Sequence, residues 1–388
     1  MSRLRRMSTR NLIVLIVVVV ALSTGGAALA VAVGDGGPTP APEALDQAIH
    51  DALSAPPPDG VNATVKFTNN LFPSGALFGQ VGSALMSGAS GRMWATNDGR
   101  GRIELQSESG DVQIVWNTST GKILIFDASS NTVYTADLPA PPATSSSGTN
   151  EVPTLADIDN TLTEIGAHWA VSDAQPTNVG GQPAYQVSVS PKHDGGLLGS
   201  LELAWDAGQG TPLHGAVLAQ SSDSPVLAFD VTGITYGPVS SSAVDWTPPA
   251  DAKVVDLGSG PLAGTDKTNT PAVTGLDAVK AAATFPVVAP DSIVGLPRRD
   301  VRLVGGDTVL AFYGEGLGGI ALVERAADAG STPGQMSALP TVSLDGLTAH
   351  ELATQLGTVL EWESNGTRFI LAGSLPASAA EAAARDVK

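Results

Sequence analysis

From Val61 onward the chain alternates. Val61, Ala63, Val65 and Phe67 are apolar while Asn62, Thr64 and Lys66 are polar, the period-two pattern of a strand with one buried face. Similar runs follow at 91–95, 101–108, 111–117, 122–127 and 131–136. Their connections carry turn chemistry: Asn97-Asp98-Gly99, Gly110-Asp111, Thr120-Gly121 and Ser129-Ser130-Asn131. Short strands joined this way predict an antiparallel meander of hairpins, not βαβ units. A second meander is predicted from about residue 169 to 244, with strands near 184–190, 200–205, 215–220 and 225–234.

The period changes in a few places. Leu45, Ile49 and Leu53 recur every fourth residue and predict a short amphipathic helix over 44–54, ended by Pro56-Pro57-Pro58. Leu155, Ile158, Leu162 and Ile165 predict another over 154–165. About eleven strands and two or three helices before residue 250 predict an α+β fold. Its main element is a large curved antiparallel β-sheet, a half-barrel, with helices on the concave face. Residues 256–272 form a Gly/Pro/Thr-rich linker. Beyond it, 273–388 reads as a small C-terminal α/β module. Helices are predicted at 275–284 and 378–387, and strands at 301–304, 308–313, 319–324, 359–363 and 368–372.

The first 34 residues are different in kind. Arg3, Arg5, Arg6 and Arg10 precede an apolar run, and 12–33 is long enough as a helix to cross ~30 Å of hydrocarbon. The arginines place the N-terminus in the cytoplasm and the body outside. A cleaved signal peptide ending near Ala30 fits the same residues, with Ala28-Leu29-Ala30 as the small-x-small site. Either way the body is expected to be extracytoplasmic: a single-pass anchor with its N-terminus inside, or a secreted chain. Residues 35–43 are a linker, and 44–255 is the main domain.

Composition then excludes several classes. The chain has 388 residues with 20 Lys and Arg against 38 Asp and Glu, a net charge of −18. Such a surface repels phosphates, so nucleic acid is not an expected partner. With no cysteine there are no disulfides, thiolate metal sites or lipidated N-terminal Cys. His50, His168, His193, His214 and His350 are scattered and offer no zinc spacing. No G-x-S-x-G elbow is present. Gly314–Gly319 matches G-x-G-x-x-G, but the β-run IALVE follows where a dinucleotide loop needs a helix, so it reads as a hairpin turn. Neither an enzyme nor a bound cofactor or metal is expected.

The connection over 69–91 is too long for an idle turn. It carries Leu71, Phe72, Leu77, Phe78, Val81, Leu85 and Met86, with 77, 81 and 85 on one helical stripe. It reads as a helix plugging the sheet, as a mobile lid over an apolar cavity, or as both. Candidate residues for an apolar, lipid-binding site are Val65, Phe67, Leu71, Phe72, Leu77, Phe78, Val81, Leu105, Ile114, Trp116, Ile125 and Trp205. Each of them could equally be plain core.

Several motifs carry a resemblance. Gly91-Arg92-Met93-Trp94, Gly101–Leu105 (GRIEL) and 122–134 (KILIFDASSNTVY) resemble the opening of the LolA/LolB/LppX-like lipoprotein carriers, in an actinobacterial version. So do 180–189 (GGQPAYQVSV), Trp205-Asp206 with Thr211-Pro212-Leu213, and Trp246–Ala250 (WTPPA). Further on, 310–323 (LAFYGEGLGGIALV) and 358–375 with Trp362 and Gly366 are similar to the second domain of RseB/MucB-like periplasmic regulators. The resemblance implies a half-barrel holding lipid or lipoprotein acyl chains, followed by an RseB/MucB-like domain over 273–388. The expected role is therefore a non-catalytic carrier in the cell envelope. The alternatives are an envelope-stress sensor that binds a membrane anti-sigma factor or other envelope protein, and a structural envelope protein with a filled interior.

Overall fold

The computed structural model describes residues 37–71, 85, 88–138, 152–220, 222–256, 273–327 and 339–387. The apolar run at 12–33, most of the long connection over 69–91 and most of the linker at 256–272 lie outside the described residues. Among the described residues, no helix is long and apolar enough to cross a membrane.

Strands β1 (Gly60–Asn69), β2 (Ala89–Thr96), β3 (Arg100–Ser107), β4 (Gly110–Asn117), β5 (Lys122–Asp127) and β6 (Thr132–Asp137) form the first antiparallel meander. The second contains β7 (Trp169–Val171), β8 (Gln175–Val179), β9 (Gln182–Pro191), β10 (Leu198–Asp206), β11 (Pro212–Ala219) and β12 (Pro225–Tyr236). The two meanders fuse because β12 pairs antiparallel with β1. A thirteenth strand, β13 (Lys253–Asp256), joins the far edge parallel to β6. A parallel partner needs a crossover, and residues 237–252 supply it. They include the short helix that we number α3 (Ser241–Val244), and Trp246, whose ring lies 5.3 Å from that of Phe126.

The two preceding helices are α1 (Leu45–Ser54) and α2 (Leu155–Gly166). A capping box starts α2: Thr154 Oγ1 accepts from the Asp157 N–H, and the Asp157 carboxylate accepts from the Thr154 N–H. The two helices are tied by His50, whose Nδ1 lies 3.0 Å from the Pro153 carbonyl oxygen. Ala48 of α1 is buried against Tyr185, Val187 and Trp205. Pairing runs Phe67–Phe229–Gly215–Leu203–Val187 across five strands, so α1 sits on the face that carries Phe67 and Phe229. The open sheet with a helix on its apolar face is the predicted α+β half-barrel.

A second sheet of nine strands follows. It comprises β14 (Val273–Thr274), β15 (Ser292–Ile293), β16 (Leu296–Val304), β17 (Thr308–Tyr313) and β18 (Ile320–Ala326), then β19 (Thr341–Leu344), β20 (Leu347–Thr354), β21 (Gly357–Ser364) and β22 (Thr367–Gly373). Helices α4 (Leu276–Ala282) and α5 (Ala377–Asp386) close one face: Val279, Ala380, Ala383 and Ala384 pack into the cluster of Leu322, Leu360, Leu371, Trp362 and Phe369. The rings of Trp362 and Phe369 stack at 5.2 Å. Glu324 is fully buried there. Its two carboxylate oxygens accept from the backbone N–H groups of Val288 and Ala289, each at 2.8 Å. Burial pushes its pKa up, and those two hydrogen bonds pull part of the way back.

Four of these nine strands, β14, β15, β19 and β20, are not among those predicted. The β19–β20 hairpin turns on Asp345-Gly346, both at positive φ (50° and 96°), the Asp-Gly signature of a two-residue hairpin. The flanking runs are weakly apolar, since only Leu344 and Ala349 are buried. The alternation there is therefore too faint to read.

The sheets meet through loops. The Gly318 N–H donates to the Asp194 carbonyl at 2.7 Å, and the Leu197 N–H donates to Ser374 Oγ at 2.9 Å. Gln355 Nε2 donates to the Asn70 carbonyl at 2.8 Å. The G-x-G-x-x-G stretch is thus the turn between β17 and β18, docked on the first sheet. A Cβ at Gly316 would stand 3.1 Å from Asp194, so the close approach favours glycine there, as does its φ of +63°.

Candidate functional site

The first sheet's apolar face is organised in rows set by strand register. One row runs Ile234, Ala63, Met93, Ile103, Ile114, Ile125 and Tyr134 across seven strands. The row on one side runs Val231, Val65, Gly91, Leu105 and Val112. The row on the other runs Tyr236, Val61, Ala95, Gly101, Trp116 and Ile123. At ~4.8 Å between strands, seven strands make a face about 29 Å wide. Glycines flatten it at two points. A Cβ at Gly91 would meet the Glu104 carbonyl oxygen at 1.7 Å, and one at Gly101 would meet the Trp116 ring at 1.9 Å. Gly101 therefore leaves the space that the half-buried Trp116 indole occupies.

Six of the twelve residues singled out from sequence come together here. Val65, Phe67, Leu105 and Ile114 are buried in one cluster, and Trp116 and Ile125 pack on it partly buried. Trp205 belongs to a separate cluster with Ala48, Tyr185 and Val187, and its Nε1 is buried without a hydrogen-bond partner. Leu71 is half-buried at the end of β1, and its N–H donates to Asn69 Oδ1 at 2.9 Å. Phe72, Leu77, Phe78 and Val81 lie outside the described residues. Sequence reasoning missed Met93, Ile103, Phe229, Val231 and Ile234 as members of the same face. The β12 alternation that would have placed the last three is interrupted, because the pairing slips between Thr64 and Val65.

The opposite face carries polar chemistry. Asp230 lies between the buried Phe229 and Val231 and so points the other way. His214 Nδ1 is 2.5 Å from Asp230 Oδ1, and its Nε2 is 3.7 Å from Glu202 Oε2. Burial pulls the imidazole pKa down, but the hydrogen bonds and charges of Asp230 and Glu202 outweigh it and push it up to about 9. Its two partners are both carboxylates, an arrangement that holds a cation in place. Among the described residues, no group of three or more His, Asp or Glu side chains is placed to hold a metal ion.

No protein-family model matches the chain, and no curated protein matches it by sequence. Among solved structures, MucB in complex with MucA(peri) is similar at 14% identity and a TM-score of 0.41, over 88% of this chain and 95% of that one. The MucA/MucB complex of Pseudomonas aeruginosa gives 14% and 0.42, over 88% and 96%. An uncharacterised conserved protein from Thermus thermophilus gives 11% and 0.32, over 55% and 96%.

Proposed function

We propose that the chain is a non-catalytic binding protein of the cell envelope that holds an apolar ligand on the inner face of its larger sheet. The ligand class is the acyl chain of a lipid or lipoprotein. The observation that carries this reading is the set of register-aligned apolar rows across seven strands, joined by no residue of α1 to α5. A face about 29 Å wide can carry an extended acyl chain across the strands. The basic, then apolar, N-terminal segment supports an extracytoplasmic location, reached through an anchor or after cleavage near Ala30. Lipid binding is tested by native and then denaturing mass spectrometry of the gently purified protein. A discrete extra mass that extracts into organic solvent, and that is lost in Trp116→Ala, supports the reading. A bare polypeptide mass across repeated preparations counts against it.

A second reading is favoured by the separate core of the second sheet. That unit fills its own interior and, among the described strands, has the short β19 at one edge. In this reading the chain is a sensor whose second sheet docks on an envelope protein such as an anti-sigma factor. MucB is solved bound to MucA; for this chain an equivalent partner rests on the edge strand alone. A complex lost when Val342 and Ser343 are both replaced by proline, in a chain that still melts cooperatively, supports this role.

A further inference from the structure

The crossover 237–252 leaves a cleft where it departs from β12, on the face opposite the apolar rows. Its volume is about 360 Å³, within the ~300–1,000 Å³ of small-molecule sites. The floor is one cross-strand row, Thr235–Asn62–Trp94, which spans about 10 Å at the usual strand spacing. The wall is Pro238, Val239 and Ser240.

The chemistry of this cleft is specific. No lining residue is charged, so nothing in it selects an ion. The Trp94 indole is half-buried, and the Arg102 guanidinium stands 5.8 Å from its ring centroid, which fixes the plate from outside the cleft. Neither the indole N–H nor the Asn62 carboxamide hydrogen-bonds within the described chain, and the exposed Thr235 hydroxyl beside them donates to the Asn62 main-chain carbonyl at 3.3 Å and keeps its oxygen to accept. The site therefore offers an aromatic plate ringed by neutral donors and acceptors with free capacity. A wholly apolar ligand would leave those groups unmatched. A sugar matches both halves, because its C–H face stacks on the electron-rich ring while its hydroxyls meet the amide, indole and hydroxyl groups.

We propose that this cleft binds a neutral oligosaccharide, with Trp94 as the stacking plate and Asn62 and Thr235 as hydrogen-bonding partners. The floor of the cleft lies on the side of the sheet opposite the acyl-binding face, and Tyr236, which also lines the cleft, ends one of the apolar rows.

The test is calorimetric titration of the full chain with chitotetraose, cellotetraose and maltotetraose, alongside NMR of the indole N–H signals. At least one of these sugars binds and shifts the Trp94 signal. Trp94→Ala weakens it about tenfold or more, the share expected of an aromatic anchor, and Asn62→Ala weakens it severalfold. Val254→Ala, on the distant edge strand, leaves it unchanged. Should Trp94→Ala fold poorly, Asn62→Ala and Trp94→Phe, which keeps the plate and removes the N–H, carry the test. Three results overturn the proposal. No tetrasaccharide binds at about 10 mM, a concentration that reveals even millimolar affinity; or binding survives both Trp94→Ala and Asn62→Ala; or a proline-rich peptide shifts the Trp94 signal where the sugars do not.

Discussion

The two sheets solve the same problem differently. The second buries its apolar face under its own helices: Val279 from α4 and three alanines from α5 meet Leu360, Trp362, Phe369 and Leu371. The apolar rows of the first sheet gather residues from strands, with Leu138 and the helical Leu85 packed against them, and contain no residue of α1 to α5. Helix α1 covers only the end carrying Tyr185 and Trp205. A face closed by rigid, short-range partners is committed to stability. A broad face to which none of those helices contributes is where the proposed ligand would lie. The proposed ligand site follows from that contrast.

A matched pair of substitutions tests the contrast with the largest effect. Leu371 and Leu105 are both fully buried, one in each core. Leu371→Ala is expected to cost about 4–5 kcal/mol, because helix and sheet cannot close on the void. Leu105→Ala is expected to cost about 2–3 kcal/mol, because none of the five described helices is packed over it and the site can relax further. Urea denaturation with a probe in each sheet measures both. Equal costs would erase the distinction between the two faces.

The next effect lies within the first sheet. An Ala at Gly91 drives its Cβ into a main-chain carbonyl, which can move only with its strand, whereas at Gly101 it meets the Trp116 ring, which can tilt. Gly91→Ala is expected to cost about 3 kcal/mol and Gly101→Ala about 1–2 kcal/mol. Gly101→Ala should also change bound acyl mass, since it displaces Trp116 into the proposed ligand's place. A Gly101→Ala variant with unaltered melting and unaltered lipid content would remove Trp116 from the site.

The outer face of the first sheet supplies a pH test. The folded pKa of His214, about 9, stands above its ordinary 6.5. The stabilisation it brings is full below about pH 6.5 and is lost as pH rises through about 9. It amounts to on the order of 3 kcal/mol at 1.36 kcal/mol per pKa unit. Wild type should therefore lose stability between about pH 6.5 and 10 by that much more than His214→Gln. Parallel curves for the two proteins would show that Asp230 and Glu202 do not hold the imidazolium.

Much of the first sheet was legible because its alternation is clean. Lys122–Asp127 has the predicted bounds, β4 differs by one residue at its start, and β1 and β3 differ by one or two residues at each end. The candidate site was legible in the same measure: Val65, Leu105 and Ile114 stand out as large apolar residues at alternate positions. What stayed hidden depends on pairing between distant segments. Nothing local says that β12 lies beside β1, so Phe229 and Ile234 could not be joined to Val65. The three-residue β7 and the parallel β13 exist only because longer strands offer them an edge. Trp205 falls in a different cluster from Val65, since a strand residue's face is readable from sequence but not which stretch of that face it occupies.

The smallest expected effect falls on the hairpin that sequence reading missed. In the second sheet, β19 lies at the edge and is joined to β20 by Asp345 and Gly346. Gly346 holds φ at +96°, a conformation that costs an L-residue about 1 kcal/mol or somewhat more. Its Cβ would meet nothing within 4 Å, so Gly346→Ala tests backbone strain without a packing clash. The variant should lose about 1 kcal/mol in urea denaturation, with faster amide exchange confined to β19 and β20. The first sheet's melting and any bound mass should not change. If strain at this edge altered either, the two sheets would form one cooperative unit, and the separate commitments argued for them would have to be given up.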